Sequence, residues 1–327
     1  MKKDKLKQNM TIGILSKSPD IYFNLRIKEE SQKKGIECKV MHPSDFLLYP
    51  DNILLEDESL TDFSCVILRS PPYREEKEFF HHAARILESR DVWVINSPSA
   101  VEIVGNKMLT KLKLVKKGIP VLKSVAVRKA CNLDGAVSHV GGFPVFLKTF
   151  YGTRGIGVIF CPCRETLYAA AQTMWAYYTN IFIEEYAEKS KGETVRVLVC
   201  ADEVIGAVMN KPAKFPFKVR KDIHNNEEKE FAEKSKNNPV STDNLIRSNY
   251  SRGGDTNEFL LSVEMEKMAL SACRATGIFL AGVDLIETDK GWAVLEINSS
   301  PGIKGFESTL KINAAAQIID RMLLEGI

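Results

Sequence analysis

Short apolar runs alternate with longer stretches of helical periodicity over residues 11–97. The apolar runs have the length of buried strands, and the stretches between them repeat apolar residues three or four positions apart. Strands and helices in this order are typical of a parallel sheet that helices cover. The pattern predicts strands at residues 11–15, 37–41, 65–68 and 92–96, with helices at 19–34 and 75–90. We therefore expect a small α/β domain within residues 1–97.

The rest of the chain predicts two further units. A helix that carries Met108, Leu112 and Val115 at helical spacing follows the N-cap candidate Asn106. The strands and helices expected beyond it cover residues 144–148, 158–161, 165–178, 181–185, 194–200, 204–209, 258–276, 280–298 and 313–324. We expect one unit over residues 98–190, with a glycine-rich loop, and another over residues 191–327, with a hairpin.

Length and composition limit the class of protein. A chain of 327 residues is long enough for two or three packed domains. Its hydrophobic content of 44% and charged content of 27% are typical of a soluble globular protein, and a net charge of +3 gives no reason to expect nucleic-acid binding. No apolar run is long enough to cross a bilayer, and no signal peptide is recognisable. Seven scattered cysteines favour reduced thiols in a cytoplasm.

One long polar segment interrupts this organisation. Residues 214–246 are rich in Lys, Glu and Asn and have little apolar periodicity, which predicts a long mobile insertion. Two interpretations stay open: a solvated loop with no role, and an arm that docks a macromolecular partner.

Three oxygen-bearing side chains are expected to meet on a hairpin near the C-terminus. A turn with the sequence TDKG separates two apolar runs there. If its last three residues form the loop, Glu287 pairs with Ala293, and the same register sets Asp284 opposite Glu296. Side chains alternate along a strand, so Asn298 shares the face of Glu296. Opposed carboxylates lie about 5 Å apart at Cβ and repel each other, a conflict that a divalent cation resolves.

Asp284, Glu296 and Asn298 are therefore candidate metal ligands. Two carboxylates and an amide oxygen form the all-oxygen set that suits Mg²⁺, which usually also binds substrate phosphates. Two alternatives stay open: an edge hairpin whose acids are solvated, and a four-residue loop that shifts the register and separates the acids.

A glycine-rich turn of the order G-x-x-G-x-G lies between two predicted strands. Gly152, Gly155 and Gly157 would let the backbone approach a ligand closely and point amide N–H groups at phosphate oxygens. The order is neither a dinucleotide fingerprint nor a Walker loop, so a plain hairpin turn is the competing interpretation. Lys148 ends an apolar run and needs an anionic partner, and Lys107 lies in the first turn of the preceding predicted helix.

Two further polar stretches are candidates for substrate binding. Glu185 and Tyr186 end a predicted strand, where backbone groups can bind a flat heterocycle, although an ordinary strand end has the same pattern. Residues 247–254 combine two arginines, an amide and glycines, and arginine suits the charge that develops on a transferring phosphoryl group. No arrangement of Ser, Cys and His suggests a covalent nucleophile.

Taken together, these stretches resemble the ATP-grasp carboxylate–amine ligases, and among them the RimK type, the ribosomal-protein glutamate ligases. The similarity is carried by KTFYGTRGIGV, by the loop RSNYSRGG, and by AGVDLIE with LEINSSPG, in that order along the chain. It implies an α/β protein with an ATP-grasp fold behind an N-terminal parallel-sheet α/β domain, the pre-ATP-grasp domain.

The resemblance also implies nucleotide-binding residues. Lys107 and Lys148 match the phosphate-binding lysines, and Glu185 and Tyr186 match the adenine hinge. The remaining implied nucleotide contacts are Gly152, Gly155, Gly157, Thr194, Arg247, Ser248 and Asn249. One departure is Thr194, which stands where RimK-type members usually carry a nucleotide-contacting aspartate.

The metal and the chemistry follow from the same resemblance. Asp284, Glu296 and Asn298 match the ligands of two Mg²⁺ ions, which Mn²⁺ can replace, and Arg252 matches the arginine that supports the acyl-phosphate chemistry. A second departure is the segment LRSPPYR near Arg69, which lacks the family's usual glycine after the arginine.

The implied activity is an ATP-dependent, ADP-forming ligation. An acceptor carboxylate attacks the γ-phosphate of ATP, and the amine of an amino acid, expected to be glutamate, then displaces phosphate to form an amide. The expected acceptor is a protein or peptide, with a protein C-terminus as one candidate. Two alternatives stay open: a ligase that makes a small-molecule conjugate of glutamate or of another amino acid, and a non-catalytic ATP-binding regulator. We expect a cytoplasmic protein that binds neither membrane nor nucleic acid directly, and a homo-oligomer is an open alternative.

Overall fold

The N-terminal sheet is parallel, as the alternation of strands and helices predicts. A computed structural model of the chain describes residues 10–56, 58–69, 77–152, 155–211 and 256–325. The elements of its first part are β1 (Thr11–Leu15), α1 (Tyr22–Lys33), β2 (Glu37–Met41), β3 (Phe46–Tyr49), β4 (Asn52–Leu55), β5 (Glu58–Ser59), β6 (Cys65–Leu68), α2 (Lys77–Ser89) and β7 (Trp93–Ile95). The parallel sheet has the order β2-β1-β6-β7, while β3, β4 and β5 form a small antiparallel sheet that the sequence pattern did not predict.

The middle part of the chain forms a four-stranded antiparallel sheet. Its elements are α3 (Pro98–Gly105), α4 (Lys107–Lys116), β8 (Ser124–Val127), α5 (Leu133–Val140), β9 (Val145–Thr149), β10 (Val158–Cys161), α6 (Arg164–Ala176) and β11 (Ile181–Glu185). The strand order is β10-β9-β11-β8. Helices α5 and α6 pack on this sheet around one apolar core, and β8 and α5 are additions to the predicted elements.

The C-terminal part forms a second antiparallel sheet, of order β14-β13-β12-β15-β16. Its elements are β12 (Thr194–Cys200), β13 (Glu203–Asn210), β14 (Thr256–Glu258), α7 (Val263–Thr276), β15 (Leu280–Thr288), β16 (Gly291–Asn298), α8 (Lys304–Leu310) and α9 (Ala314–Glu325). The predicted start of α7 near residue 258 is wrong, because Ser262 is its N-cap and accepts a hydrogen bond from the Met265 N–H at 3.2 Å. The predicted insertion at residues 214–246 lies outside the described residues.

The buried face of helix α4 is not the face that carries its apolar residues Leu112 and Val115. Leu112 and Val115 are 63% and 60% exposed. The buried residues are instead Thr110, Lys111 and Leu114. This face is turned inward because α4 packs on α7 and because Lys111 reaches an internal carboxylate of the middle sheet.

One apolar core joins the parallel sheet to the C-terminal sheet. Its members include Ile12, Ile67, Leu280 and Ile318. Asn96 follows β7 and is buried at this junction, where its Nδ2 donates to the carbonyl oxygens of Leu280 at 2.8 Å and Ser299 at 2.9 Å. The carboxyl edge of the parallel sheet therefore lies against the start of β15 and against the loop that follows β16.

Two sequence expectations concern the environment of the protein. Within the described ranges, no helix has both the length and the apolar character that a membrane span requires. All seven cysteines are free thiols, and Cys38, Cys65, Cys161, Cys200 and Cys273 are buried.

Candidate active site

An open pocket is lined by the middle and C-terminal antiparallel sheets and by the start of α4. The predicted site residues that line it are Lys107, Lys148, Gly152, Gly155, Glu185, Tyr186, Thr194, Asp284 and Glu296. Asn298 contacts two of these residues, and Gly157 belongs to the same glycine-rich turn. Arg247, Ser248, Asn249 and Arg252 lie outside the described residues.

The hairpin pairs Asp284 with Glu296 as predicted, although its loop differs from the predicted one. Thr288 pairs with Gly291, so the loop has two residues instead of three. A β-bulge between Asp284 and Leu285 then restores the predicted pairing, because β16 has an extra residue, Leu295, at this point. The two departures cancel each other.

Asp284 has a partner that the sequence argument did not include. Arg196 lies directly opposite Asp284 on β12, and its Nε and Nη2 each donate to one carboxylate oxygen at 2.6 Å. Asn298 Nδ2 lies 3.2 Å from Asp284 Oδ2 and 3.4 Å from Glu296 Oε1. Arg196 therefore supplies part of the positive charge that we expected from a cation alone.

The two carboxyl groups have opposite tendencies to ionise. Burial raises the pKa of Asp284, although Arg196 works against this rise. Burial also acts on Glu296, but the positive charges of Lys107 and Arg196 hold the pKa of Glu296 below its usual value. Glu296 is therefore the more readily ionised of the two carboxyl groups.

The donor set fits a hard divalent cation. Asp284 and Glu296 offer carboxylate oxygens, a ligand type that Mg²⁺ takes in proteins. Asn298 directs Nδ2 toward both acids in this structure, so its amide group would have to rotate to offer the oxygen to a cation. No cluster of three or more His, Cys, Asp or Glu side chains that could hold a metal occurs in the part of the chain that the structure describes. A site here thus depends on the amide and on oxygens from a bound substrate.

The glycine-rich turn is tied to the start of α4. Lys107 donates from Nζ to the Gly152 carbonyl oxygen at 2.9 Å, and its backbone N–H donates to the Phe150 carbonyl oxygen at 2.9 Å. Asn106 is the N-cap of α4, as predicted, because its Oδ1 accepts from the N–H groups of Met108 and Leu109 at 3.1 Å each. The helix N-terminus, which favours anions, is therefore fixed beside the turn.

Substituting Gly157 with alanine is expected to distort this turn. Gly157 has φ +76°, and a Cβ at this position would overlap the side chain of Thr149. A non-glycine residue in this conformation costs about 1–2 kcal/mol before any clash. We expect a higher KM for ATP and a lower free energy of unfolding, measured by steady-state kinetics and urea titration. Gly135→Ala is the matched control, since nothing lies within 4 Å of a Cβ at Gly135 in α5 and alanine favours a helix.

Lys148 finds its anionic partner inside the protein. Glu184 is fully buried, and its two oxygens contact Lys148 Nζ and Lys111 Nζ, the latter at 2.8 Å. Burial opposes the ionisation of Glu184, but the two ammonium groups hold its pKa below the usual value. Two positive charges around one negative charge leave this end of the pocket net positive, which suits a phosphate.

An apolar slot adjoins these charges. Tyr186 packs against Phe146 and Phe160 with ring centroids 5.9 and 5.6 Å apart, and Ile286 also lines the pocket. Glu185 is engaged at the edge of the slot, since its Oε1 accepts from the Lys123 N–H at 2.8 Å. The slot can hold a planar ring beside the backbone of residues 184–187.

The glycine-rich turn and the acidic hairpin thus lie in one pocket. The sequence matches the family described as RimK-like ATP-grasp domain over residues 104–237 and 236–322, which is more than half of the chain. The chain belongs to the RimK-like ATP-grasp family. The family resemblance and the ATP-grasp fold with its N-terminal parallel sheet, both predicted from the sequence, are confirmed.

Several RimK-like relatives and ATP-grasp structures are similar along most of the chain. A probable alpha-L-glutamate ligase of Rhodopirellula baltica is 29% identical over 319 residues, 96% of this chain and 71% of that protein. A relative with the same name from Marinobacter nauticus is 29% identical over 316 residues, 95% of this chain and 94% of its own length. The structure of the ATP-grasp ligase PsnB with a minimal precursor has a TM-score of 0.70 at 18% identity and covers 97% of this chain and 98% of its own. This structural similarity shows the fold alone.

Two charged residues that line the RimK-like pocket, Glu184 and Arg196, were not predicted as site residues, and neither was Lys111, which pairs with Glu184. A signal for Arg196 exists, because it is a charged residue within the otherwise apolar strand β12. Glu184 also ends an apolar strand, but the sequence does not tell which of the two adjacent glutamates points inward. Lys111 lies among exposed lysines of α4 and carries no signal of its own.

Proposed function

We propose that this chain is an ATP-dependent, ADP-forming ligase that joins the amino group of glutamate to a carboxylate of a protein or peptide. The observation that carries the proposal is the proximity of Lys107 to Glu296, with 3.6 Å between Nζ and Oε2. Lys107 belongs to the phosphate side of the pocket through Gly152, and Glu296 belongs to the metal side through Asp284. A triphosphate with its cation would contact both of these sides.

We propose one orientation for ATP in the pocket. Its adenine occupies the slot beside Tyr186, and its phosphates extend past Lys148 toward Lys107 and the glycine-rich turn. Asp284, Glu296 and Asn298 hold the Mg²⁺ ions, of which we propose two. Mg²⁺ held by these residues would supply the positive charge that offsets the charge developing on the transferred group.

The chemistry needs no nucleophile from the protein. An oxygen of the acceptor carboxylate attacks the γ-phosphorus, and the bond to the leaving oxygen of ADP breaks. The uncharged amine of glutamate then attacks the acyl carbon, inorganic phosphate leaves with the bonding electron pair, and the amine proton passes to solvent. Lys107 and Lys148 hold the phosphate charge in place, and the glycine-rich turn shields the acyl-phosphate from water.

Glutamate and a peptide acceptor are proposed from the relatives. The two curated relatives are named probable alpha-L-glutamate ligases. Structures of PsnB are described as complexes with a precursor peptide and AMPPNP, and with Mg and ADP. We propose that this chain acts likewise in the cytoplasm on a carboxylate of a protein or peptide.

The test is ADP formation by the full chain with ATP, Mg²⁺, labelled glutamate and three sets of acceptors: cell-extract proteins, synthetic peptides and small carboxylic acids. We expect ADP formation that requires glutamate and a protein or peptide, incorporation of label into that acceptor, and loss of activity when EDTA removes the metal. ADP formation with small acids alone contradicts the macromolecular acceptor. Binding of ATP without ADP formation under every condition contradicts the enzyme assignment and supports a regulator.

A further inference from the structure

A buried arginine lies outside the pocket, at the carboxyl edge of the parallel sheet. Arg69 directly follows β6, and its backbone N–H donates to the carbonyl oxygen of Leu15, the last residue of β1. Ligands of open α/β sheets bind at the carboxyl ends of parallel strands. The proposed ATP site makes no use of this edge.

The Arg69 side chain is buried without an anion. Its exposure is 8%, its guanidinium carbon lies 4.0 Å from the centre of the Phe23 ring, and its Nη1 donates to the Pro301 carbonyl oxygen at 3.1 Å. Its Nε has no hydrogen-bond partner, and no carboxylate within the described ranges forms an ion pair with it. Burial lowers the pKa of Arg69 to about 10, as expected for a cation that has lost water and gained no counter-charge.

Neighbouring polar groups at the same edge are also incompletely satisfied. Asn24, next to Phe23 on α1, is fully buried, and its Oδ1 has no hydrogen-bond partner. Its Nδ2 donates to Ser16 Oγ, just after β1, at 2.8 Å. Buried polar atoms without partners are rare in native proteins, so two of them at one edge indicate a place for a polar ligand.

This edge lies within reach of the proposed reaction centre. Pro301, which accepts from Arg69, lies three residues beyond Asn298, so their Cα atoms are at most roughly 11 Å apart. An amino acid that binds Arg69 through one end can therefore present its other end toward the metal side of the pocket.

We propose that Arg69 binds a carboxylate of the incoming amino acid, the one that supplies the amine. This inference rests on the proposed ligase function. The carboxylate of the acceptor reacts and must lie at the γ-phosphate, whereas the carboxylates of the incoming amino acid do not react and can be held at a distance. A guanidinium with a free Nε is suited to such a carboxylate, because it forms two parallel hydrogen bonds with it.

The first test compares Arg69→Met with the wild type of the full chain. We expect the KM for glutamate to rise by roughly 10- to 100-fold, the range of a hydrogen-bonded charge pair, with the KM for ATP unchanged. We also expect the midpoint of thermal unfolding to stay the same or rise, because an apolar side chain replaces an unpaired buried charge. Arg85→Met is the control, since Arg85 on α2 forms an exposed pair with Glu102.

Carboxamide analogues identify the carboxylate. Glutamine lacks the γ-carboxylate and isoglutamine lacks the α-carboxylate. The analogue that lacks the carboxylate held by Arg69 should bind the wild type more weakly than glutamate does. Its affinity should not fall further in Arg69→Met, because it makes no bond that this substitution removes. Equal losses for glutamate and for both amides, or a fall in the unfolding midpoint together with a higher KM for ATP, would show that Arg69 is only structural and would overturn the proposal.

The proposed function and this subsite fail in different ways. Absence of glutamate-dependent ADP formation in the wild type contradicts the function. Titration calorimetry of glutamate and its amides still measures the subsite in that case. Equal affinity of wild type and Arg69→Met for glutamate, or no binding of glutamate to either, contradicts the subsite even if ADP is formed.

Discussion

Replacing Glu296 with glutamine is expected to lower the rate of ADP formation by about 10²–10³-fold, the effect of losing several kcal/mol of metal-based charge stabilisation. The fold should persist, because glutamine keeps the shape of the side chain and removes one of two opposed acids. Asp284 keeps both hydrogen bonds from Arg196 in this variant. Initial rates of ADP formation and the thermal midpoint measure the two effects separately.

The matched control for this variant is Glu287→Gln. Glu287 lies on the same hairpin, but its side chain is half-exposed and pairs with Lys189 at 2.8 Å, away from the pocket. Its substitution should leave the rate of ADP formation unchanged. If Glu296→Gln turns over as fast as the wild type, the assignment of Glu296 as a metal ligand is wrong.

The hairpin shows how a correct pairing can follow from an incorrect loop. The sequence predicts two strands, a turn and three candidate oxygen ligands, and these features require only local periodicity and turn residues. It does not indicate the bulge at Leu295, because a bulge depends on how the strand packs against its neighbours. A register that is argued from loop length alone is therefore secure only where no bulge intervenes.

Buried charges are the main feature that the sequence could not place. The parallel sheet and the glycine-rich turn follow from apolar runs and from glycine spacing, which are local signals. The Lys111–Glu184 pair joins residues far apart in the chain, and α4 turns Lys111 inward while Leu112 stays exposed. A polar residue on an apparently solvated face can be recognised as a core residue only when its distant partner is known.

The largest effect on stability is expected at Glu184. Replacing it with glutamine removes the carboxylate that neutralises Lys111 and Lys148, both of which are buried. Breaking a buried ion pair by removing one partner costs about 3–5 kcal/mol, since an uncompensated charge stays in the interior. Urea unfolding followed by tryptophan fluorescence should report this loss, because Trp175 packs in the core of the same sheet.

A second substitution separates the loss of charge balance from a simple loss of contacts. Adding Lys111→Met to Glu184→Gln removes one of the two unpaired ammonium groups and keeps side-chain volume, so the double variant should recover a large part of the lost stability. Lys111→Met alone should cost less than Glu184→Gln, because Glu184 keeps Lys148 as its partner. If the double variant is no more stable than Glu184→Gln, the loss of stability does not come from the unpaired Lys111 ammonium group, and the three charges do not act as one unit.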